Sequence, residues 1–214
     1  MLRCAITDRS IFPGNDDDER IAALVQQAAR WSEQRIEIIQ IREKDLPAPD
    51  VAEITRKILE ATSPARSIVL VNSSIEAAIA SRAHGVHISS HHGAISQEEV
   101  RRRYAAAGLP DPIITISCHS LEEIQRASAF TPDAILFAPV FGKVIAGKSV
   151  SPAAGLKALR DACRAASPIP VLALGGVTLG RAKMCVEAGA AGVAGIRIFH
   201  DFALSQSPAT QTQK

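Results

Sequence analysis

Aromatic residues are scarce in this 214-residue chain, which has one Trp, one Tyr and six Phe. So few rings leave little from which to build a base-stacking surface. Charge of one sign is also lacking: 24 Lys and Arg against 22 Asp and Glu leave a formal +2. That argues against a nucleic-acid or polybasic membrane partner. Apolar runs such as VLAL are far too short to span a bilayer. The opening MLRCAITDRS reaches Asp8 and Arg9 almost at once, unlike a basic-then-apolar leader, so the cytoplasm is the expected location. Four cysteines (Cys4, Cys118, Cys163 and Cys185) are scattered without a C-x-x-C pair. They read as buried thiols rather than a zinc site or disulfide framework.

What the chain does have is a rhythm. Short β-branched and aliphatic runs recur at 2–7, 36–41, 68–72, 85–88, 113–117, 134–138, 170–174 and 192–196, with helix-like stretches between them. Ser96 with Glu99 and Ser120 with Glu123 have capping-box spacing, and Gly108 and Gly189 fall where helices should stop. Eight buried-looking strands alternating with helices in about 200 residues predict an α/β fold, a single-domain (β/α)8 TIM barrel, over an open doubly wound sheet. The barrel is expected over 1–204, and SQSPATQTQK (205–214) reads as a disordered tail.

In such a barrel the chemistry belongs at the carboxyl ends of the strands. GKVIAGKS, Gly142 to Ser149, fits the phosphate-loop pattern there. A true phosphate loop opens a helix at its Gly-Lys-Ser, however, and Pro152 stands where that first turn would be. Five runs precede the sixth, which leads into the motif, and no later run ends in a magnesium-holding Asp. The stretch is better read as a long loop bearing Lys143 and Lys148, able to close over an anionic substrate.

The second run ends in QIREKD. Alternation places Gln40, Arg42 and Lys44 on one side and Ile41 and Glu43 on the other. Toward the barrel mouth this gives one amide and two cations suited to phosphate. The alternative is a solvated strand end with salt bridges to Glu43 and Asp45. Asn72, followed by Ser73, ends the third run. In HISSHH, His87 reads as a hydrogen-bonded barrel residue, and His91 and His92 as a pair that rarely shares one metal ion. His119, just before the Ser120 cap, is placed to act as a general acid or base, or is a surface loop histidine. Gly175 and Gly176, and the turn at Gly195 and Ile196, would let backbone N–H groups approach a phosphate. Tight packing is the competing explanation for the paired glycines.

AITDR, QIREKD, GVHI, SCHSLEE, FAPVF and VLALGGV…EAGAAGVAGI stand in an order and spacing that resembles thiamine phosphate synthase and its relative, the thiazole tautomerase. The resemblance covers nearly all of residues 2–199. It implies a transferase of thiamine biosynthesis that joins an aminopyrimidine methyl pyrophosphate to a thiazole phosphate and releases pyrophosphate. It further implies that Gln40, Arg42, Lys44 and Asn72 hold the pyrophosphate, and that Gly175, Gly176, Gly195 and Ile196 hold the thiazole phosphate. In the synthase pattern two Asp residues bind Mg2+; here Ser73 and His92 replace them, which weakens the expected magnesium site. The loop after the sixth run offers Lys143, Lys148 and Ser149 in place of the synthase's Thr-x-Thr-Lys, and Arg197 stands where a Ser is usual. The tautomerase needs neither magnesium nor pyrophosphate, and SCHSLEE would make His119 its proton shuttle. A complete anion grip in QIREK favours the synthase, with the tautomerase or a non-catalytic thiazole-phosphate-binding barrel as alternatives. Small molecules are the expected partners, and the sequence allows a homodimer.

Overall fold

A computed structural model describes residues 1–63, 67–89, 95–145 and 148–199, with backbone alone over 143–145 and 148–151. Eight strands form a closed barrel: β1 (Leu2–Ile6), β2 (Ile38–Ile41), β3 (Ile68–Asn72), β4 (Gly85–Ile88), β5 (Ile113–Cys118), β6 (Ala134–Phe137), β9 (Val171–Ala173) and β10 (Gly192–Gly195). Every neighbouring pair is parallel, and β10 closes the ring on β1 through Leu2↔Gly192 to Ala5↔Gly195. The observed strands depart from the predicted runs by only one or two residues at their ends.

Two apolar clusters explain why the strands read as near-continuous hydrophobic runs. Cys4, Ile6, Ile38, Leu70, Ala134, Leu136, Leu172 and Ala194 fill the barrel interior. Their strand neighbours, such as Ala5, Ile39, Val69, Val71 and Val193, face outward under the helices. With both faces buried, a parallel strand cannot alternate between apolar and polar. The helices are α1 (Asp17–Glu33), α2 (Ala48–Thr62), α3 (Ile75–Ser81), α4 (Gln97–Ala106), α5 (Leu121–Ser128), α6 (Gly155–Ala166) and α7 (Leu179–Glu187). The predicted caps are in place: Ser96 accepts from the Glu99 amide and Ser120 from the Glu123 amide. In α1, Leu24, Ala28 and Trp31 recur at helical spacing and are buried. The Trp31 indole N–H donates to the Phe199 carbonyl at 3.1 Å, tying α1 to the segment that follows β10.

The segment after β6 corrects one expectation. It is no plain loop but contains an antiparallel hairpin, β7 (Lys143–Ile145) with β8 (Lys148–Ser151). Lys148 lies on a strand, and the next helix begins only at Gly155. The phosphate-loop letters therefore do not form a phosphate loop, whose Gly-Lys-Ser must open a helix. The expected tail at 205–214 lies outside the described residues. Among those described, no helix is long and apolar enough to cross a membrane. All four cysteines are free thiols; Cys4, Cys118 and Cys185 are buried and Cys163 is partly so. Burial pushes the Cys4 and Cys118 thiols up to about 12, leaving them unreactive at neutral pH.

Candidate functional site

Because all eight strands run the same way, their carboxyl ends share one rim, and the described site residues singled out above lie on it or on a segment leaving it. Gln40 is buried beside Ile38 in the interior, as alternation requires. Its side-chain N–H donates to Asn72 Oδ1 at 3.1 Å, joining the second and third strand ends. Gln40 Oε1 has no hydrogen-bond partner among the described residues. A buried amide oxygen left unpaired is costly, and it offers a seat for a donor on a ligand.

Arg42 and Lys44 follow the end of β2 at Ile41, Lys44 on a turn, and the two are close enough for their charges to interact. The two readings of QIREKD differ in whether Glu43 and Asp45 neutralise these cations. They do not. Among the described residues neither Arg42 nor Lys44 has a carboxylate partner, because Glu43 and Asp45 both bind Arg9. The proximity of Arg42 lowers the pKa of Lys44, with burial adding to the effect. Two like charges close together, without a carboxylate among the described residues, are an arrangement suited to an anion.

Beneath them, a polar layer caps the barrel interior. His87 is buried, with Nδ1 at 2.8 Å from Thr115 Oγ1 and Nε2 at 2.9 Å from Ser117 Oγ. Burial, aided by the Arg42 charge, pushes its pKa down to about 3. The ring is therefore neutral at working pH and serves as a structural strut, as expected for a barrel histidine. His119 differs in every respect. It is exposed, its backbone N–H donates to Glu123 Oε2 at 2.6 Å, and its Nδ1 donates to the Ala138 carbonyl at 2.7 Å. A carbonyl can only accept, so Nδ1 carries a proton and the contact fixes the ring's orientation.

The paired glycines fit the packing reading directly. Gly175 and Gly176 have φ of +91° and +64°, and a Cβ on Gly176 would sit 2.6 Å from the Phe141 carbonyl oxygen. Close packing against the segment after β6 thus requires glycine, and Phe141 N–H donates to the Gly175 carbonyl at 2.9 Å. The backbone N–H groups of Gly175, Gly176, Ile196 and Arg197 have no acceptor among the described residues. Unpaired amides at two adjacent strand ends are what a phosphate cradle needs. Arg181, on the first turn of α7, donates to the Gly176 carbonyl and stacks 4.8 Å over the Phe141 ring, bracing this turn.

His92 lies outside the described residues, as does His91, and the side chains of Lys143, Lys148 and Ser149 are not described. Ser73 holds the position where the synthase pattern has Asp, and its hydroxyl pairs with Ser89 Oγ at 2.9 Å. Among the described residues no group of three His, Cys, Asp or Glu side chains is placed to hold a metal ion. Hydroxyls and an amide oxygen are poor ligands for magnesium compared with carboxylates, so the donors described do not fit that ion well. The sequence reading overlooked Thr7 and Arg9, which reach Glu43 from the end of β1. A signal for them existed: Thr-Asp-Arg leaves the first strand at the functional rim.

A closed ring of eight parallel strands with alternating helices defines a (β/α)8 barrel protein. Residues 4–199 match the family model described as thiamine monophosphate synthase, and the chain belongs to that family. It is 35% identical to the thiamine-phosphate synthase of Moorella thermoacetica over 72% of this chain and 70% of that protein. It is 29% identical to the thiamine-phosphate synthase of Caldanaerobacter subterraneus subsp. tengcongensis over 90% and 83% of the two chains. Among solved structures, thiamine phosphate pyrophosphorylase from Pyrococcus furiosus superposes with a TM-score of 0.74 at 25% identity, covering 91% of this chain and 85% of that one.

Proposed function

We propose that this protein is a thiamine-phosphate synthase, transferring an aminopyrimidine methyl group from pyrophosphate to the ring nitrogen of a thiazole phosphate. The observation that carries this reading is the Arg42–Lys44 pair, left without a carboxylate among the described residues while Glu43 and Asp45 are held by Arg9. A grip of two cations suits a pyrophosphate and has little use in a reaction that lacks one. As the C–O bond breaks, its electron pair leaves on pyrophosphate and a benzylic-type cation remains, which the thiazole nitrogen captures by forming the C–N bond. The protein's part is electrostatic and positional. Arg42 and Lys44 stabilise the negative charge that grows on the leaving group, and the amides at Gly175, Gly176 and Ile196 anchor the thiazole phosphate opposite. The unpaired Gln40 oxygen is suited to accept from the amino group of the pyrimidine.

The tautomerase reading is supported by His119, whose Nδ1 contact with Ala138 orients the ring for proton transfer. One assay separates the two. Incubation with both substrates should release pyrophosphate and form thiamine phosphate; isomerisation of the thiazole carboxylate with no pyrophosphate release would instead identify a tautomerase. The same reading places the enzyme in the cytoplasm with small-molecule partners.

A further inference from the structure

The carboxylates interleaved with Arg42 and Lys44 are gathered by a single guanidinium. Arg9, 7% exposed, contacts Glu43 Oε2 at 3.2 Å, Asp45 at 2.8 and 2.7 Å, and Asp17 at 2.9 Å. Its backbone N–H also donates to Glu43 Oε2 at 3.1 Å. Thr7 completes the device: its hydroxyl donates to Glu43 Oε1 at 2.6 Å and accepts the Arg42 backbone N–H at 2.8 Å. Arg9, joined at Asp17 by Arg20 at 3.5 Å, gathers three carboxylates, while Arg42 and Lys44 have no carboxylate partner among the described residues, so the charges are segregated.

We infer that Arg9 is a positioning residue, which holds Glu43 and Asp45 away from Arg42 and Lys44 so that those cations stay available to an incoming pyrophosphate. Asp45 is exposed and adjacent to Lys44 in the chain, and Arg9 is its largest hold, a local backbone N–H being a lesser one, so without Arg9 it is freer to turn to the lysine. Arg9 is suited to the task. Its planar fork meets several carboxylate oxygens at once, and its pKa is raised further, first by Asp45 and then by Asp17, so its charge is permanent. Asp17 and Asp45 are in turn held below the usual carboxylate range by Arg9, and remain ionised. Through Thr7 the same cluster fixes the backbone at Arg42, linking the sequestered carboxylates to the direction of the grip. The inference rests on reading Arg42 and Lys44 as an anion grip.

The test is titration of inorganic pyrophosphate into the full chain by calorimetry, together with NMR titration of the Lys44 Nζ resonance without ligand. Arg9→Met should weaken pyrophosphate binding about tenfold or more, and raise the Lys44 pKa as Asp45 turns inward. Adding Asp45→Asn to that variant should recover most of the affinity and return the Lys44 titration toward wild type, whereas Asp45→Asn alone should change binding less than about twofold. A purely structural role predicts no rescue by the second substitution, and that result overturns the inference. So does an Arg9→Met protein with wild-type affinity and an unmoved Lys44. Where Arg9→Met does not fold, Arg9→Lys, which keeps the charge but not the fork, should show the same pattern at smaller amplitude. A wild-type chain that binds no pyrophosphate, yet whose Lys44 titration follows these variants, would sink the pyrophosphate grip and leave the sequestration by Arg9 intact.

Discussion

Replacing Arg42 by Met separates function from stability more sharply than any other single change at the rim. Hydrogen bonds to charged groups contribute about 1.5–3 kcal/mol each. Loss of one such contact to pyrophosphate should therefore weaken binding about 10- to 150-fold, at about 1.4 kcal/mol per factor of ten. Stability should behave differently. Arg42 has no carboxylate partner among the described residues, and it repels Lys44. Removing it breaks no ion pair and relieves a like-charge contact, and Met keeps most of the apolar stem. The expected change in folding free energy is within about 0.5 kcal/mol, or about 1–2 °C in Tm. A second signature follows from charge. Lys44 loses its proton at a lower pH than an ordinary lysine because Arg42 stands beside it, so pyrophosphate binding should fade early on the alkaline side. In Arg42→Met the remaining, weaker binding should persist to higher pH. Calorimetric titration across pH, with thermal denaturation of both proteins, provides the measurements. An Arg42→Met protein that binds pyrophosphate like wild type but melts several degrees lower would refute the reasoning, because it would make Arg42 a structural salt-bridge residue after all.

Acid should destabilise the fold through His87. Its folded pKa of about 3 lies below the ordinary 6.5, so the unfolded chain binds the extra proton; stability is complete above pH 6.5 and falls as pH drops toward 3. At pH 5 the loss is about 2 kcal/mol relative to pH 7.5, and in denaturant titrations wild type should lose about that much more stability than His87→Asn between those two pH values. Gly176→Ala places a Cβ 2.6 Å from a backbone oxygen at φ +64°, and should cost about 1–3 kcal/mol, lowering Tm by about 2–12 °C in a thermal melt. His119→Gln should reduce pyrophosphate release by less than about tenfold in a coupled assay, whereas general acid–base catalysis would lose about 100- to 10,000-fold. Ser73→Asp restores a carboxylate at a position whose φ of +57° Asp tolerates, and should lower the magnesium concentration that half-saturates pyrophosphate binding.

The strands were legible because burial on both faces leaves no polar residues to interrupt them, and the rim followed from parallel closure. Gln40 was placed correctly because a strand repeats every two residues, so its neighbour Ile38 already marked the interior. The hairpin was not legible. KVI and KSVS are three and four residues long, carry two lysines between them, and flank a glycine, so they have the composition of a loop. The position of His119 could be read from the Ser120 cap that follows it, but its anchor could not, since the Ala138 carbonyl belongs to the next strand's end and backbone groups leave no mark in composition. Arg9 was hidden for a related reason. Its partners Glu43 and Asp45 lie 34 and 36 positions away, and only the pairing of β1 with β2 brings them together.

That pairing explains why the Arg-Glu-Lys-Asp order can work as a binding device. β2 ends at Ile41 and the chain turns at Lys44 and Asp45, where the Leu46 N–H donates to the Glu43 carbonyl. Arg9 gathers Glu43 and Asp45, while Arg42 and Lys44 stay close enough to repel each other. On an isolated strand end the side chains would swing together in water and cancel, which is the usual fate of exposed neighbouring charges. In the barrel the chain leaving β1 places Arg9 beside both carboxylates, so the buried Glu43 and the exposed Asp45 are held by one guanidinium. The rim then keeps two cations whose mutual repulsion raises the free energy of the empty site. A bound dianion relieves that repulsion, and it does so most when negative charge gathers on the departing pyrophosphate, so the same arrangement that binds the group also favours its release from carbon. The relief is coulombic and partly exposed, so affinity for pyrophosphate should fall steadily as salt rises from 0.01 to 0.15 M, where the screening length shortens from about 30 to 8 Å. Binding indifferent to salt over that range would mean that the rim cations are not what holds the anion.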